Sequence, residues 1–320
     1  MNIAVVTPGG DAPGVNAAIR AVVRSAASQG FEVLGVERGY MGLIENSFRK
    51  LSPRDVSGII NLGGSMLKSS RCELFKTPEG LEKASDNLKT MNVDWLVAIG
   101  GDGSMKGAKE ISEVSGIPVT VLAASIDNDI AGVDETIGFD TAVNTAVGAI
   151  DKIRDTAVTF ERDFIVEVMG RQRGFLAVDV ALASGAEIAL IPEHPVTHED
   201  IGQRLLKMAS LGKKSSIIVK AEGAMGNPFE MASRLSRLTG YDFRVTVLGH
   251  IQRGGAPSAR SRTLACLFGN HAVRLISEGK KNRVIGLRDN RVVDISILDS
   301  YTGVKKIDED KYRLVSLLAI

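Results

Sequence analysis

The segment Ser125-Ile126-Asp127-Asn128-Asp129 carries two carboxylates two positions apart, just after the apolar run Ile117-Pro118-Val119-Thr120-Val121-Leu122. The length and β-branched content of that run are those of a buried strand. Open α/β sheets bind ligands at the carboxyl ends of their strands. An ionised acid placed there needs a cation, a proton to abstract or a solvated exit, because burying an unpaired charge is costly. One strand earlier, Trp95-Leu96-Val97-Ala98-Ile99 runs into Gly100-Gly101-Asp102-Gly103-Ser104. Phosphoryl transfer accounts for both segments with the fewest parts: glycines for phosphate, one Asp for a metal and another as base.

Such groups need a sheet to hold them, and the chain supplies the pattern of one. Apolar runs of strand length alternate with segments of helical period, the signature of a mainly parallel α/β sheet. Strands are expected over 2–7, 31–37, 95–99, 117–122, 164–168, 186–191, 216–221 and 244–248, and helices over 15–28, 80–91, 104–114 and 139–153. The first strand enters Pro8-Gly9-Gly10-Asp11-Ala12-Pro13-Gly14 before its helix, a turn able to bring backbone N–H groups against a phosphate. It is not a Walker A loop, since Val15-Asn16 follows Gly14. Alone, such a turn links strand to helix as readily as it binds phosphate. Later strands end in Met169-Gly170-Arg171, Pro192-Glu193, Glu222-Gly223 and Gly249-His250-Ile251-Gln252-Arg253.

At 320 residues the chain has room for two domains. A net charge of +1 excludes a bulk electrostatic grip on nucleic acid or an anionic membrane, so phosphate recognition must be local. No run is long and apolar enough to span a bilayer, and the opening residues do not read as a signal peptide. Cys72 and Cys266 match no zinc spacing, which suits free thiols in a reducing cytoplasm.

Five segments, in order, resemble the bacterial 6-phosphofructokinases: Gly9-Gly10-Asp11-Ala12-Pro13-Gly14, Gly100 to Ser104, Ile126 to Asp129, Met169-Gly170-Arg171, and Leu248 through Gly255. The resemblance implies a two-domain phosphofructokinase fold, with residues 1–138 and 251–301 binding nucleotide and 139–250 and 302–320 binding fructose 6-phosphate. It implies transfer of the γ-phosphate of ATP to fructose 6-phosphate, with Asp127 as base, Arg71 cradling the ATP phosphates and Arg171 stabilising the transferring group. Gly10, Arg71, Cys72, Gly101, Asp102, Gly103 and Ser104 fall at ATP positions, and Asp102 at the Mg²⁺ position. Sugar phosphate positions are Ser125, Asp127, Asp129, Arg162, Met169, Gly170, Arg171, Glu222, Arg244, His250 and Arg253.

Arg162 and Arg171 lie nine positions apart along one expected strand, roughly 25–30 Å at about 3.3 Å per residue. Arg244 and Arg253 repeat that spacing. If all four hold one small ester, a neighbouring molecule must supply a pair, which matches the family's homotetramer. Taken singly, a strand-terminal Arg suits a surface ion pair, His250 a satisfied core position and Asp129 a turn cap.

Arg20 and Arg24 stack like charges at i,i+4, a modest cost unless an anion relieves it. By resemblance they join Arg154, Gly185, Glu187, Lys213 and Lys214 in an effector site for ADP or phosphoenolpyruvate. Leu211 and Ser215 depart from that pattern. Pyrophosphate-dependent relatives usually carry Asp at the position of Gly103 and Lys at that of Ala124, so these small residues point to ATP. Ala123-Ala124-Ser125 and Pro8 are departures from the usual ATP-dependent pattern. A pyrophosphate-dependent enzyme and a catalytically silent regulatory paralogue are the alternatives.

Overall fold

The computed structural model describes residues 1–319. In chain order the first elements are β1 (Asn2–Val6), α1 (Val15–Ser28), β2 (Glu32–Val36), α2 (Tyr40–Ile44), β3 (Phe48–Leu51), α3 (Pro78–Thr90), β4 (Trp95–Gly100), α4 (Asp102–Ser115), β5 (Val119–Ala123) and α5 (Phe139–Phe160). There follow β6 (Asp163–Val168), α6 (Phe175–Ser184), β7 (Ile188–Leu190), α7 (His198–Ser210), β8 (Ile217–Ala221), α8 (Pro228–Thr239) and β9 (Phe243–Val247). The chain ends with α9 (Ala259–Ser277), β10 (Arg283–Arg288), β11 (Arg291–Ser296), α10 (Ile297–Thr302) and α11 (Glu309–Leu317).

The backbone separates into two compact units, Met1–Thr141 with Arg253–Lys305 and Ala142–Gln252 with Lys306–Ile320. The first holds a seven-stranded sheet ordered β11-β10-β5-β4-β1-β2-β3. Its centre is parallel, and only β3 and β11 pair antiparallel, at the two edges. Every residue of β4 and β5 is buried, as expected for parallel strands covered on both faces. The second unit holds a fully parallel four-stranded sheet ordered β7-β8-β6-β9. The α/β class with mainly parallel sheets is therefore observed.

Several boundaries differ from those expected. The 186–191 run keeps strand geometry only over Ile188–Leu190. β9 stops at Val247, and Gly249–Arg253 forms a 3₁₀ turn. The extended spacing expected between Arg244 and Arg253 is therefore wrong, because the backbone coils at Gly249 with φ of +52°. Strands β3, β10 and β11 and the helices α2, α6, α7, α8, α9, α10 and α11 fall outside the expected elements.

Helix caps divide by position. Thr77, Thr197, Asn227, Ser258, Ser296 and Asp308 cap α3, α7, α8, α9, α10 and α11 with their side chains. The helices entered from β1 and β4 instead start at Gly14 and Gly101, with no side-chain cap. Their first-turn N–H groups are left for other partners.

Candidate active site

Three turns meet beyond the carboxyl ends of β1, β4 and β5, all within the first unit. Ser104 fastens two of them. Its Oγ donates to Pro8 O at 2.8 Å, and a Cβ on Gly100 would lie 2.2 Å from Ser104 Oγ. Gly9, at φ of +83°, would bring a Cβ within 3.1 Å of the same atom. Glycine at 9 and 100 is thus demanded by the fold itself. At Gly103 a Cβ would meet nothing within 4 Å, so the fold makes no such demand there.

The third turn runs alongside the second. Ala124 N donates to Gly100 O at 3.0 Å, and a Cβ on Gly101 would touch the Ser125 side chain at 3.2 Å. Asp102 opens α4 as an exposed carboxylate, whereas Asp127 is 3% exposed. Ser125 Oγ accepts from Asp127 N at 3.1 Å, and Thr136 Oγ1 donates to Ser125 O at 2.6 Å. Asn128, at φ of +52°, donates from Nδ2 to Asp134 O at 2.9 Å. Lys305 Nζ then donates to Asn128 O at 2.8 Å and Asp134 O at 2.9 Å. The loop bearing Asp127 and Asp129 is therefore closed by a lysine that nothing in the local sequence marks.

Opposite Gly9 and Gly10 lies residues 65–71, pinned to the end of β1. Thr7 Oγ1 bonds Ser65 Oγ at 2.8 Å and Lys68 O at 2.9 Å, while Ser69 Oγ donates to Gly9 O at 2.6 Å. Between them is a cleft of about 340 Å³ whose lining includes Gly10, Asp11, Lys68 and Arg71. Arg253 reaches the same turn: Nη1 donates to Asp11 O at 3.0 Å and would sit 2.7 Å from a Cβ on Gly10. Cys72 is half-buried, its Sγ 3.8 Å from Met41 Sδ.

Sequence reasoning missed an aromatic wall beside α4. Tyr40 stacks on Phe75 with centroids 4.1 Å apart, donates its hydroxyl to Ser104 O, and leaves room at Gly107 for no Cβ. Burial, with Glu110 adding a smaller repulsion, raises the Tyr40 hydroxyl pKa well above its usual value, so it acts as a donor. No residue spacing signals this wall, since 40, 75 and 107 lie on separate elements.

The remaining expected residues, Arg20 and Arg24 excepted, sit in the second unit. Arg162 and Arg244, at the amino ends of neighbouring β6 and β9, converge on Asp242 at 3.4 and 2.9 Å. Met169, Gly170 and Arg171 leave the carboxyl end of β6, where Arg171 N donates to Glu222 Oε1 at 2.5 Å and Met169 N to Gln252 Oε1 at 2.9 Å. His250 is exposed within the 3₁₀ turn. Of the effector set, Arg154, Gly185, Glu187 and Lys213 come together: Lys213 Nζ lies 2.7 Å and Arg154 Nη1 3.8 Å from Glu187 Oε1, and Arg154 Nη2 donates to Gly185 O at 3.0 Å. Lys214 turns instead to Glu161 at 2.6 Å. Arg20 and Arg24 lie on α1 in the first unit.

No cluster of three or more His, Cys, Asp or Glu able to cage a metal occurs among the described residues. Asp102, exposed at the start of α4, offers a carboxylate, a hard oxygen donor that suits Mg²⁺. That ion is habitually held by one or two carboxylates plus substrate phosphates rather than by a protein cage.

The sequence matches the Phosphofructokinase family over residues 2–276. The chain belongs to the phosphofructokinase family. A phosphofructokinase relative from Clostridioides difficile (strain 630), named ATP-dependent 6-phosphofructokinase, is 48% identical over 318 residues, covering 99% of each chain. A solved phosphofructokinase from Saccharomyces cerevisiae is 33% identical with a TM-score of 0.87, covering 99% of this chain and 48% of that one. This chain thus spans about half the length of the yeast chain. A pyrophosphate-dependent phosphofructokinase from Marinobacter aquaeolei shares the fold, with a TM-score of 0.84 at 21% identity over 98% of this chain and 91% of that one. Among phosphofructokinases the fold alone therefore leaves the phosphoryl donor open, and the residues at the site must decide it.

Proposed function

We propose that this chain is an ATP-dependent 6-phosphofructokinase that phosphorylates fructose 6-phosphate to fructose 1,6-bisphosphate. The observation that carries the reading is a buried carboxylate, Asp127, presented at the end of β5 beside the uncapped start of α4. Asp127 takes the proton of the sugar 1-hydroxyl as that oxygen attacks the γ-phosphate. A carboxylate within about 3 Å of the hydroxyl performs this without a large pKa shift. Backbone N–H groups at Gly10 and Gly103, with Arg71, cradle the ATP phosphates, and Arg171 stabilises the transferring group. Gly101, Cys72 and Ser104 shape the same nucleotide site. Mg²⁺ held through Asp102, when bound, neutralises charge on the phosphates. The open space at Gly103 and the small Ala124 favour ATP over pyrophosphate.

The residues 1–138 and 251–301 serve the nucleotide in this reading, and 139–250 with 302–320 the sugar phosphate. Ser125, Asp129, Met169, Gly170, Glu222, His250 and Arg253 orient the sugar phosphate, with Arg162 and Arg244 supplied by a neighbouring chain of a homotetramer. Arg20, Arg24, Arg154, Gly185, Glu187, Lys213 and Lys214 form the effector site for ADP or phosphoenolpyruvate. Glycolysis in the cytoplasm is the setting. No helix among the described residues is long and apolar enough to cross a membrane.

The test is a coupled assay of fructose 1,6-bisphosphate formation with ATP or with pyrophosphate, on the wild type and on Asp127→Ser. ATP-dependent turnover that falls roughly 10²–10⁴-fold in the variant, with both substrates still bound, is the expected result. Turnover with pyrophosphate alone refutes the donor, and full activity in Asp127→Ser refutes the base.

A further inference from the structure

Lys68 has a backbone φ of +58°, in the left-handed region that L side chains other than Asn and Asp rarely enter. Its neighbours impose that conformation. Lys68 N donates to Ser65 O at 3.0 Å, its carbonyl accepts from Thr7 Oγ1 at 2.9 Å, and Leu67 O accepts from Arg38 N at 2.7 Å. Glycine or asparagine would meet these constraints at lower cost. Most other non-glycine residues at positive φ are Asn or Asp; Arg38, Glu161 and Arg171 are the exceptions beside Lys68. Arg38 pairs with Glu45, Glu161 pairs with Lys214, and Arg171 belongs to the catalytic set. The Lys68 ammonium, by contrast, makes no ion pair or hydrogen bond among the described residues.

Lys68 is exposed and lines the cleft shared by Gly10, Asp11 and Arg71. The cleft thus carries one carboxylate, Asp11, that repels phosphate, and two cations without a protein partner. Strain retained at a site edge, on a residue whose charge is unspent, marks a functional position. We propose that Lys68 is a donor-binding residue: its ammonium meets the polyphosphate tail of the nucleotide across from Gly9 and Gly10, beside Arg71, and offsets Asp11. The proposal rests on the ATP-dependent reading above and deepens it. Because Lys68 addresses phosphate and not the base, its contribution is the same for ATP and GTP and absent for fructose 6-phosphate.

The experiment compares wild type with Lys68→Gly, Lys68→Asn and Lys68→Arg. Calorimetric titration gives Kd for Mg·ATP and Mg·GTP, steady-state assays give KM for fructose 6-phosphate, and thermal unfolding gives Tm. Lys68→Gly and Lys68→Asn are expected to weaken both nucleotides by about tenfold, the equivalent of one charge-assisted contact. Their Tm should rise by roughly 2–4 °C as the strained backbone is relieved. The sugar phosphate KM should not move, and Lys68→Arg should bind nucleotide as wild type does. Wild-type nucleotide affinity in Lys68→Gly, or Lys68→Arg as weak as Lys68→Gly, overturns the role of Lys68 while leaving ATP-dependent turnover standing. A wild type that binds neither nucleotide nor turns over with ATP overturns the underlying reading and this one together.

Discussion

Gly103→Asp separates what the fold needs from what the nucleotide needs. A Cβ at 103 meets no atom within 4 Å, whereas one at Gly100 would lie 2.2 Å from Ser104 Oγ and 3.0 Å from Pro8 O. Position 103 is the second residue of α4, whose start has no side-chain cap. Replacing glycine in a helix recovers up to a few tenths of a kcal/mol for Asp, which is itself a modest helix former. A carboxylate in the first turn adds about 0.3–1 kcal/mol through the helix dipole, partly offset by repulsion from Asp102. The net effect on stability is about 0 to +1 kcal/mol. On the ligand side, a carboxylate about 5 Å from a phosphate charge costs roughly 3 kcal/mol at an effective dielectric of about 20, or over about 10²-fold in affinity. The variant should therefore melt at or slightly above the wild-type temperature and lose ATP turnover at ordinary substrate concentrations. Gly100→Ala serves as the contrast, because its methyl has no room and should cost about 1–3 kcal/mol. Thermal unfolding beside the coupled assay reads both sides. Unimpaired ATP turnover in Gly103→Asp, or a melting loss as large as that of Gly100→Ala, would show that the open space at 103 does not face the nucleotide.

Two further outcomes follow from particular contacts. Lys305→Met removes two donors, to Asn128 O and Asp134 O, and should cost about 2 kcal/mol in urea unfolding; kcat should fall more than KM for ATP rises, because the loop that loosens carries Asp127. In Asp163, burial is the main cause that pushes the carboxyl up to about 6, partly opposed by the Ser216 amide that donates to it at 2.6 Å and reinforced by nearby Glu187. A folded pKa above the unfolded 3.8 means the stabilising contribution is complete below about pH 4 and lost as pH rises through about 6. Asp163→Asn should thus be the more stable protein above pH 6, by on the order of 2 kcal/mol. That advantage should vanish towards pH 4 when denaturation midpoints are compared across pH.

The parts legible in the sequence are those that local pattern encodes. The alternation of apolar runs with helical stripes located β1, α1, β4, α4, β5 and β6 because parallel strands buried on both faces read as continuous Val/Ile/Leu-rich runs. The edge strand β3, with the sequence Phe48-Arg49-Lys50-Leu51, shows two charges between apolar ends and no such run. Acidic and glycine residues at strand ends were legible for the same reason: chemistry collects where a crossover begins. Lys305, Tyr40 and Lys68 were not, since each is recruited through contacts far along the chain. Lys305 meets Asn128 across 177 positions, and Tyr40 meets Ser104 across 64. Spacing carries no trace of such pairs. Backbone φ at Lys68 is likewise set by Thr7 and Ser65, not by the lysine.

The arginines at the strand ends keep only part of the extended spacing expected of them. Between Arg244 and Arg253 the extended run ends at Gly249, where the chain coils. Between Arg162 and Arg171, β6 keeps six residues of strand, roughly 20 Å at about 3.3 Å per residue, short of the expected extended run because the chain turns at Gly170 and Arg171. The parallel pairing of β6 with β9 then puts Arg244 beside Arg162, with Phe164 opposite Arg244. Both guanidinium groups turn to one carboxylate, Asp242, which is itself half-exposed. Two arginines sharing one surface carboxylate keep a surplus positive charge, and an exposed pair of this kind is worth little on its own. A phosphate ester offers the same pair more acceptor oxygens and more charge than Asp242 does. Met169 to Arg171 lie at the other end of the strand, so an ester at Arg162 and Arg244 cannot also be the one that those residues hold. On the proposed reading, the two ends of β6 therefore serve different copies of the sugar phosphate, and a neighbouring chain completes each site.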